Sequence, residues 1–160
     1  MKKVIFSFAM IFALICVSGI PVVKIIGFSA EPLVRCYGNL VEYVGRKQLT
    51  KEKDLIGEKV SDDDYTGEYT AECSGQSGND IIFGGASLYG EKIHLSGKIR
   101  IKSGNAVLRV RQGSKVKEYS PNRNGEFDVT LNFVGGENYV LVLFRKFSGT
   151  IQITSERIED

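Results

Sequence analysis

The sequence predicts an all-β chain: an antiparallel two-sheet sandwich of jelly-roll type with about eight strands, preceded by an apolar N-terminal leader helix and a tether. Three observations predict it. After Lys59 apolar and polar residues alternate with period two through run after run. Glycine, asparagine and serine clusters punctuate those runs at the short spacing of β-turn connections. No stretch beyond Ile56 carries a sustained helical period. A closed barrel is the second architecture this pattern allows. At 160 residues the chain suits one domain with a core of its own and is short for two.

Taken in order, the elements begin with Met1-Lys2-Lys3, followed by an apolar stretch over residues 4–23 that only Ser7, Ser18, Gly19 and Pro21 interrupt. Residues 1–29 therefore read as a signal peptide or an uncleaved membrane anchor, which places the protein outside the cytoplasm, secreted or held at the cell membrane. Pro21 and the Ser18-Gly19 pair favour cleavage, with Gly27-Phe28-Ser29 before a cut at Ala30 and Val17-Ser18-Gly19 as the other candidate. A lipoprotein signal fits poorly, since Cys16 follows Ile15 and Cys36 follows Arg35. Residues 30–56 read as a tether. Leu33, Tyr37, Leu40, Val41 and Val44 recur at helical spacing there, but Gly38 and Gly45 make the helix marginal. Cys36 and Cys73 are the two cysteines beyond the leader and form the candidate disulfide, worth about 3–4 kcal/mol in the chain-entropy view. The alternative is two unpaired thiols.

Residues 57–160 form the β-domain. Its expected strands are 65–73, 81–89, 93–102, 106–110, 116–119, 127–133 and 138–147, closed by Ile151 and Ile153. Phe127, Val129, Leu131 and Phe133 alternate without error, whereas residues 139–144 are apolar on both faces, which makes Leu141 an expected core position. Ser103-Gly104-Asn105 reads as a hairpin turn, as do Asn122-Arg123-Asn124-Gly125, Gly135-Gly136 and Ser148-Gly149.

The segments Tyr65-Thr66-Gly67-Glu68-Tyr69, Ile82-Phe83-Gly84-Gly85-Ala86-Ser87-Leu88 and Gly149-Thr150-Ile151-Gln152-Ile153-Thr154 resemble small exported β-sandwich proteins of Gram-positive bacteria, over residues 56–156. That resemblance implies the fold and export, and supplies no activity and no site residues. The leader departs from those members that are lipoproteins.

Composition excludes several classes. Three Cys and one His rule out a zinc ribbon or a cysteine-rich scaffold. The net charge is +2, but the first 30 residues hold three lysines and no acid, so the remainder is close to neutral and no nucleic-acid partner is expected. Catalysis by nucleophile and base has to pass through His94, which alternates with Ile93 and Leu95 and reads as a surface histidine, so no enzyme is expected. Glu126 and Asp128 share one strand face without a cleft and read as solvated acids. Asp62-Asp63-Asp64 and Asn79-Asp80 match no calcium-loop spacing, so no metal and no cofactor are expected. Tyr65, Tyr69, Tyr89, Tyr119 and Tyr139 are the candidate platforms for a sugar face; Tyr65 and Tyr69 share strand parity, and core packing or edge capping is the first reading.

Charge distribution is the most informative feature. Residues 31–80 hold 6 basic and 11 acidic groups, and residues 91–124 hold 9 basic and 2 acidic. With Ile99, Ile101, Leu108 and Val110 facing the core, Lys98, Arg100, Lys102, Arg109 and Arg111 form one exposed basic face across a hairpin, the candidate ligand-binding site. The opposing reading has the acidic 31–80 segment folded back over these cations. The expected function is a non-catalytic exported binding module of the cell envelope that contacts an anionic wall polymer, a glycan or an envelope protein through this face, with the leader in the membrane if uncleaved. The alternative is a membrane-anchored structural or accessory domain with no small ligand.

Overall fold

The computed structural model describes residues 31–46 and 48–158, so the leader and its cleavage sites lie outside the described residues. The chain divides into a unit of residues 1–36 and a unit of residues 37–160. Of the first, the described part is the opening of helix α1 (Glu31–Arg46). Glu31 complements the helix dipole there, and Pro32 occupies the first turn, where a missing N–H removes no intrahelical bond. At 16 residues the helix exceeds the marginal one expected. In the second unit Gly45 is buried so close to Ala86 that a side chain would not fit, and Gly38 lies beside Leu88. The glycines that weaken the helix in isolation let it pack.

The segment after α1, expected as tether, is bonded to the sheet. Thr50 N donates to the Ile81 carbonyl at 3.2 Å, and Thr50 Oγ1 accepts from Ile81 N at 2.8 Å. A single 3-10 turn, Glu52–Asp54, follows.

Among the described residues six antiparallel strands then form one sheet: β1 (Glu58–Ser61), β2 (Gly67–Ser87), β3 (Glu91–Gln112), β4 (Lys115–Tyr119), β5 (Glu126–Phe133) and β6 (Gly136–Arg157). Their order is β1-β2-β6-β3-β4, with β5 also paired to β3. Strands β2, β3 and β6 are 21, 22 and 22 residues long, each spanning what the sequence divides into two. The expected hairpin at Ser103-Gly104-Asn105 is thus absent: it is a bulge within β3, opposite the irregular 145–148 stretch of β6. Ser148-Gly149 likewise lies inside β6. The physical reason is that bulges and turns need the same backbone. Gly104 has φ 72°, and its Cα sits so near the Lys146 carbonyl that a Cβ would collide with it.

These bulges bend the three long strands and divide each into two arms. They also shift the inward parity. Strand β3 buries Ile93, Leu95 and Ile99 before the bend and Ala106, Leu108 and Val110 after it, while β6 buries Val140, Val142 and Phe144, then Phe147, Ile151 and Ile153. Both arms feed one apolar cluster. Leu141 is only half-buried, because Val140 and Val142 on either side hold the core positions.

Asp80, on β2 beyond the bend, is fully buried. Its carboxylate accepts from Ile56 N at 2.9 Å, Gly57 N at 3.1 Å and the Tyr69 hydroxyl at 2.5 Å. Burial raises the Tyr69 phenol pKa far above its ordinary value, and the bond to Asp80 adds to the effect.

Candidate functional site

Strand β3 offers one long edge to two partners. Before the bend Glu91–Lys98 pair with β5, and after it Leu108–Gln112 pair with β4. The chain joins β4 to β5 through residues 120–125, whose turn chemistry the sequence identifies. The Asn122 side-chain oxygen accepts from Asn124 N at 2.8 Å and Glu126 N at 3.0 Å. The Gly125 carbonyl accepts from Ile99 N at 2.7 Å, and its φ of 80° brings the turn against β3.

Two hollows that share Tyr119 make a groove along β4 and β5. One, of about 730 Å³, is lined by Ser96, Gly97, Glu118–Ser120, Asn122 and residues 126–129. The other, of about 330 Å³, is lined by Val110, Gln112, residues 115–117, Tyr119 and residues 130–133. Tyr119 is partly buried against the core, with Lys117 Nζ 4.6 Å from its ring centroid. Gln112 Nε2 donates to the Asn132 carbonyl at 2.7 Å and ties the two walls together.

The acids that line the groove are already engaged. His94 Nε2 lies 3.0 Å from Asp128, and Lys98 Nζ lies 2.7 Å from Glu126. The Lys98 ammonium, by hydrogen bond and by charge, holds the Glu126 carboxyl below its usual range. Arg109 pairs with Glu118.

The five expected binding residues do not face one another across a hairpin: all five lie along β3. Lys98 and Arg100 sit before the bend of β3, and Arg109 and Arg111 after it. Lys102 lies in the bulge between them. Neutralisation comes from neighbouring strands rather than from residues 31–80: Glu126 for Lys98, Glu118 for Arg109, and Glu137, 3.1 Å from Arg111.

The remaining candidates are placed as follows. Cys36 is an exposed free cysteine and Cys73 a buried one. Cys73 faces the core beside Ala71, where burial pushes its thiol up. Asp63 caps the turn before β2 by accepting from Tyr65 N and Thr66 N, both at 2.7 Å. Among the described residues no group of three or more His, Cys, Asp or Glu is arranged to hold a metal, and no helix is long and apolar enough to cross a membrane. Tyr65 and Tyr69 are buried and offer no platform. The tyrosine of the groove is Tyr119, which directly precedes Ser120-Pro121 and the Asn-Gly turn; that position at a strand end above a turn is the signal that distinguishes it.

No family model and no curated protein matches the chain. Among solved structures the chain is similar to the pre-peptidase C-terminal domain of a collagenase from Bacillus anthracis, at 14% identity and a TM-score of 0.44, covering 57% of this chain and 89% of that one. It is also similar to a carbohydrate-binding module of lichenase 5A from Cellvibrio mixtus in complex with cellotriose, at 8% identity and a TM-score of 0.38, covering 72% of this chain and 96% of that one.

Proposed function

We propose that this protein is a non-catalytic exported binding module whose groove between β4 and β5 takes an uncharged saccharide chain, and whose bent sheet serves as the two layers of a jelly-roll-like sandwich. The observation that carries the reading is Tyr119, an aromatic side chain shared by both hollows, with side-chain amides at Gln112 and Asn122 along the same path. A sugar ring presents an apolar face that stacks on an aromatic ring and hydroxyls that bond to amides. A ligand without cationic groups is supported by the pairing of the lining acids, since Glu118, Glu126 and Asp128 already hold Arg109, Lys98 and His94. The same pairing supports a non-catalytic role, since a general acid or base has to be free to meet its substrate. The sandwich reading is supported by the bond from Tyr69 in one arm to Asp80 in the other, across a shared core.

Calorimetric titration with cello-, xylo- and manno-oligosaccharides tests it. One series should bind, Tyr119→Ala should weaken that binding about tenfold, and Tyr119→Phe should keep most of it. Binding that ignores Tyr119→Ala, or no binding to any series, overturns the reading.

A further inference from the structure

The bend of the three long strands gathers charge that no described carboxylate neutralises. Residues 73–78 of β2, 100–105 of β3 and 145–150 of β6 meet there, through the pairs Cys73 with Gly149, Ser103 with Ser148 and Asn105 with Arg145. These three segments contain Arg100, Lys102, Arg145 and Lys146 and not one acid. All four cations are exposed. Lys98, Arg109, Arg111 and Arg157 each reach a carboxylate within 3.1 Å, but among the described residues none of the four at the bend has an acidic partner. The nearest acid in register is Glu72, which faces Thr150, itself opposite Arg100.

The backbone holds this cluster in place. Lys146 has φ 49°, the one non-glycine among the described residues in the left-handed region. Its N–H donates to Ser77 Oγ at 2.9 Å, and Gly75 N donates to Ser148 Oγ at 2.8 Å, so side chains of one strand fasten the bulge of the next. Like charges on adjacent strands repel, and here no counter-charge relieves them.

We propose that this bend binds a soluble linear polymer bearing phosphate groups. Arg100 and Arg145 offer planar forks for bidentate contact with phosphate oxygens, and Lys102 and Lys146 add point charges beside them. Successive phosphates of a flexible polymer suit cations set on neighbouring strands. A lipid surface suits the bend less well, because Ile101 is its single exposed large apolar side chain. The site shares no residue with the saccharide groove, so either stands without the other.

The test uses the full chain in non-ionic detergent, with labelled inorganic polyphosphate followed by fluorescence anisotropy. Binding should fall with salt at a log–log slope of about −3, the value for four contacts on a flexible single strand. Lys102→Ser, Arg145→Ser and Lys146→Gly combined should weaken it at least about tenfold with the melting temperature held. The pair Arg109→Ser and Arg111→Ser, whose arginines already hold acids, should change it less than about twofold. The proposal is overturned if polyphosphate does not bind at low salt, if both variants lose affinity alike, if polygalacturonate binds as tightly, or if mixed micelles containing phosphatidylglycerol displace polyphosphate at equal phosphate.

Discussion

Asp80 accepts bonds from two backbone amides before β1 and from a tyrosine across the bend, so one carboxylate joins three parts of the chain. Replacing it by alanine orphans all three donors, and Asp80→Ala should lower stability by about 3 kcal/mol or more in urea melts. Tyr69→Phe removes one bond and should cost about 1–3 kcal/mol. Core side chains follow the parity of their arm. Leu108 is fully buried, and Leu108→Ala should cost about 2–5 kcal/mol. Leu141→Ala should cost visibly less, since Leu141 is half-buried. Where alternation is strict, as at Phe127, Leu131 and Phe133, the buried face is legible in the sequence. Residues 139–144 are apolar throughout, so period two carries no information there and Leu141 cannot be told from Val140 or Val142. His94 lies on the outer side beside Asp128, with 33% and 77% of the two side chains exposed, and His94→Ala should change stability by under about 1 kcal/mol.

At the scale of elements, the strands are legible and their joints only partly so. Asn122-Arg123-Asn124-Gly125 is a turn, as its residues say. Ser103-Gly104-Asn105 carries the same chemistry but continues one strand, because a positive-φ glycine serves a bulge as readily as a hairpin. What separates them is the partner: β6 runs unbroken alongside β3 on both sides of Gly104. A hairpin at Gly104 would set Arg100 beside Arg109, whereas the continuous strand sets Lys102 near Arg145 and Lys146 of β6. The groove was hidden for a related reason. Strands β4 and β5 are each visible, but nothing local says that both line the same edge of β3. Gly104→Ala tests the bulge. Backbone strain alone should cost about 1–3 kcal/mol, and the collision with Lys146 should shift amide resonances of residues 145–148 before any others.

For the whole molecule, Thr50, Ile56 and Gly57 bond to β2, and we propose that the folded domain starts before residue 57. A chain starting at residue 48 should unfold cooperatively, whereas one starting at residue 58 loses Thr50, Ile56 and Gly57, leaves Asp80 short of donors and should be less stable by about 3 kcal/mol or more. Stability should also fail on the alkaline side. Burial raises the phenols of Tyr65, to about 12, of Tyr69 and of Tyr139. Each holds its proton more tightly folded than unfolded, so their contribution is complete below about pH 10 and is lost as the pH rises towards 12. A melting temperature flat across that window would count against these burials. On the acid side, burial disfavours ionised Asp63, but the N–H groups of Tyr65 and Thr66, with Arg157, outweigh it and keep the carboxyl below its ordinary 3.8, so this support disappears as the pH falls through that range. Strand β6 is the last in sequence yet lies between β2 and β3, pairing with 67–87 on one side and 93–112 on the other. Closure of the sheet therefore waits for its arrival. A growing polypeptide holds β2 and β3 with no strand between them until β6 emerges, so folding should be slow, governed by high contact order and completed in one late step.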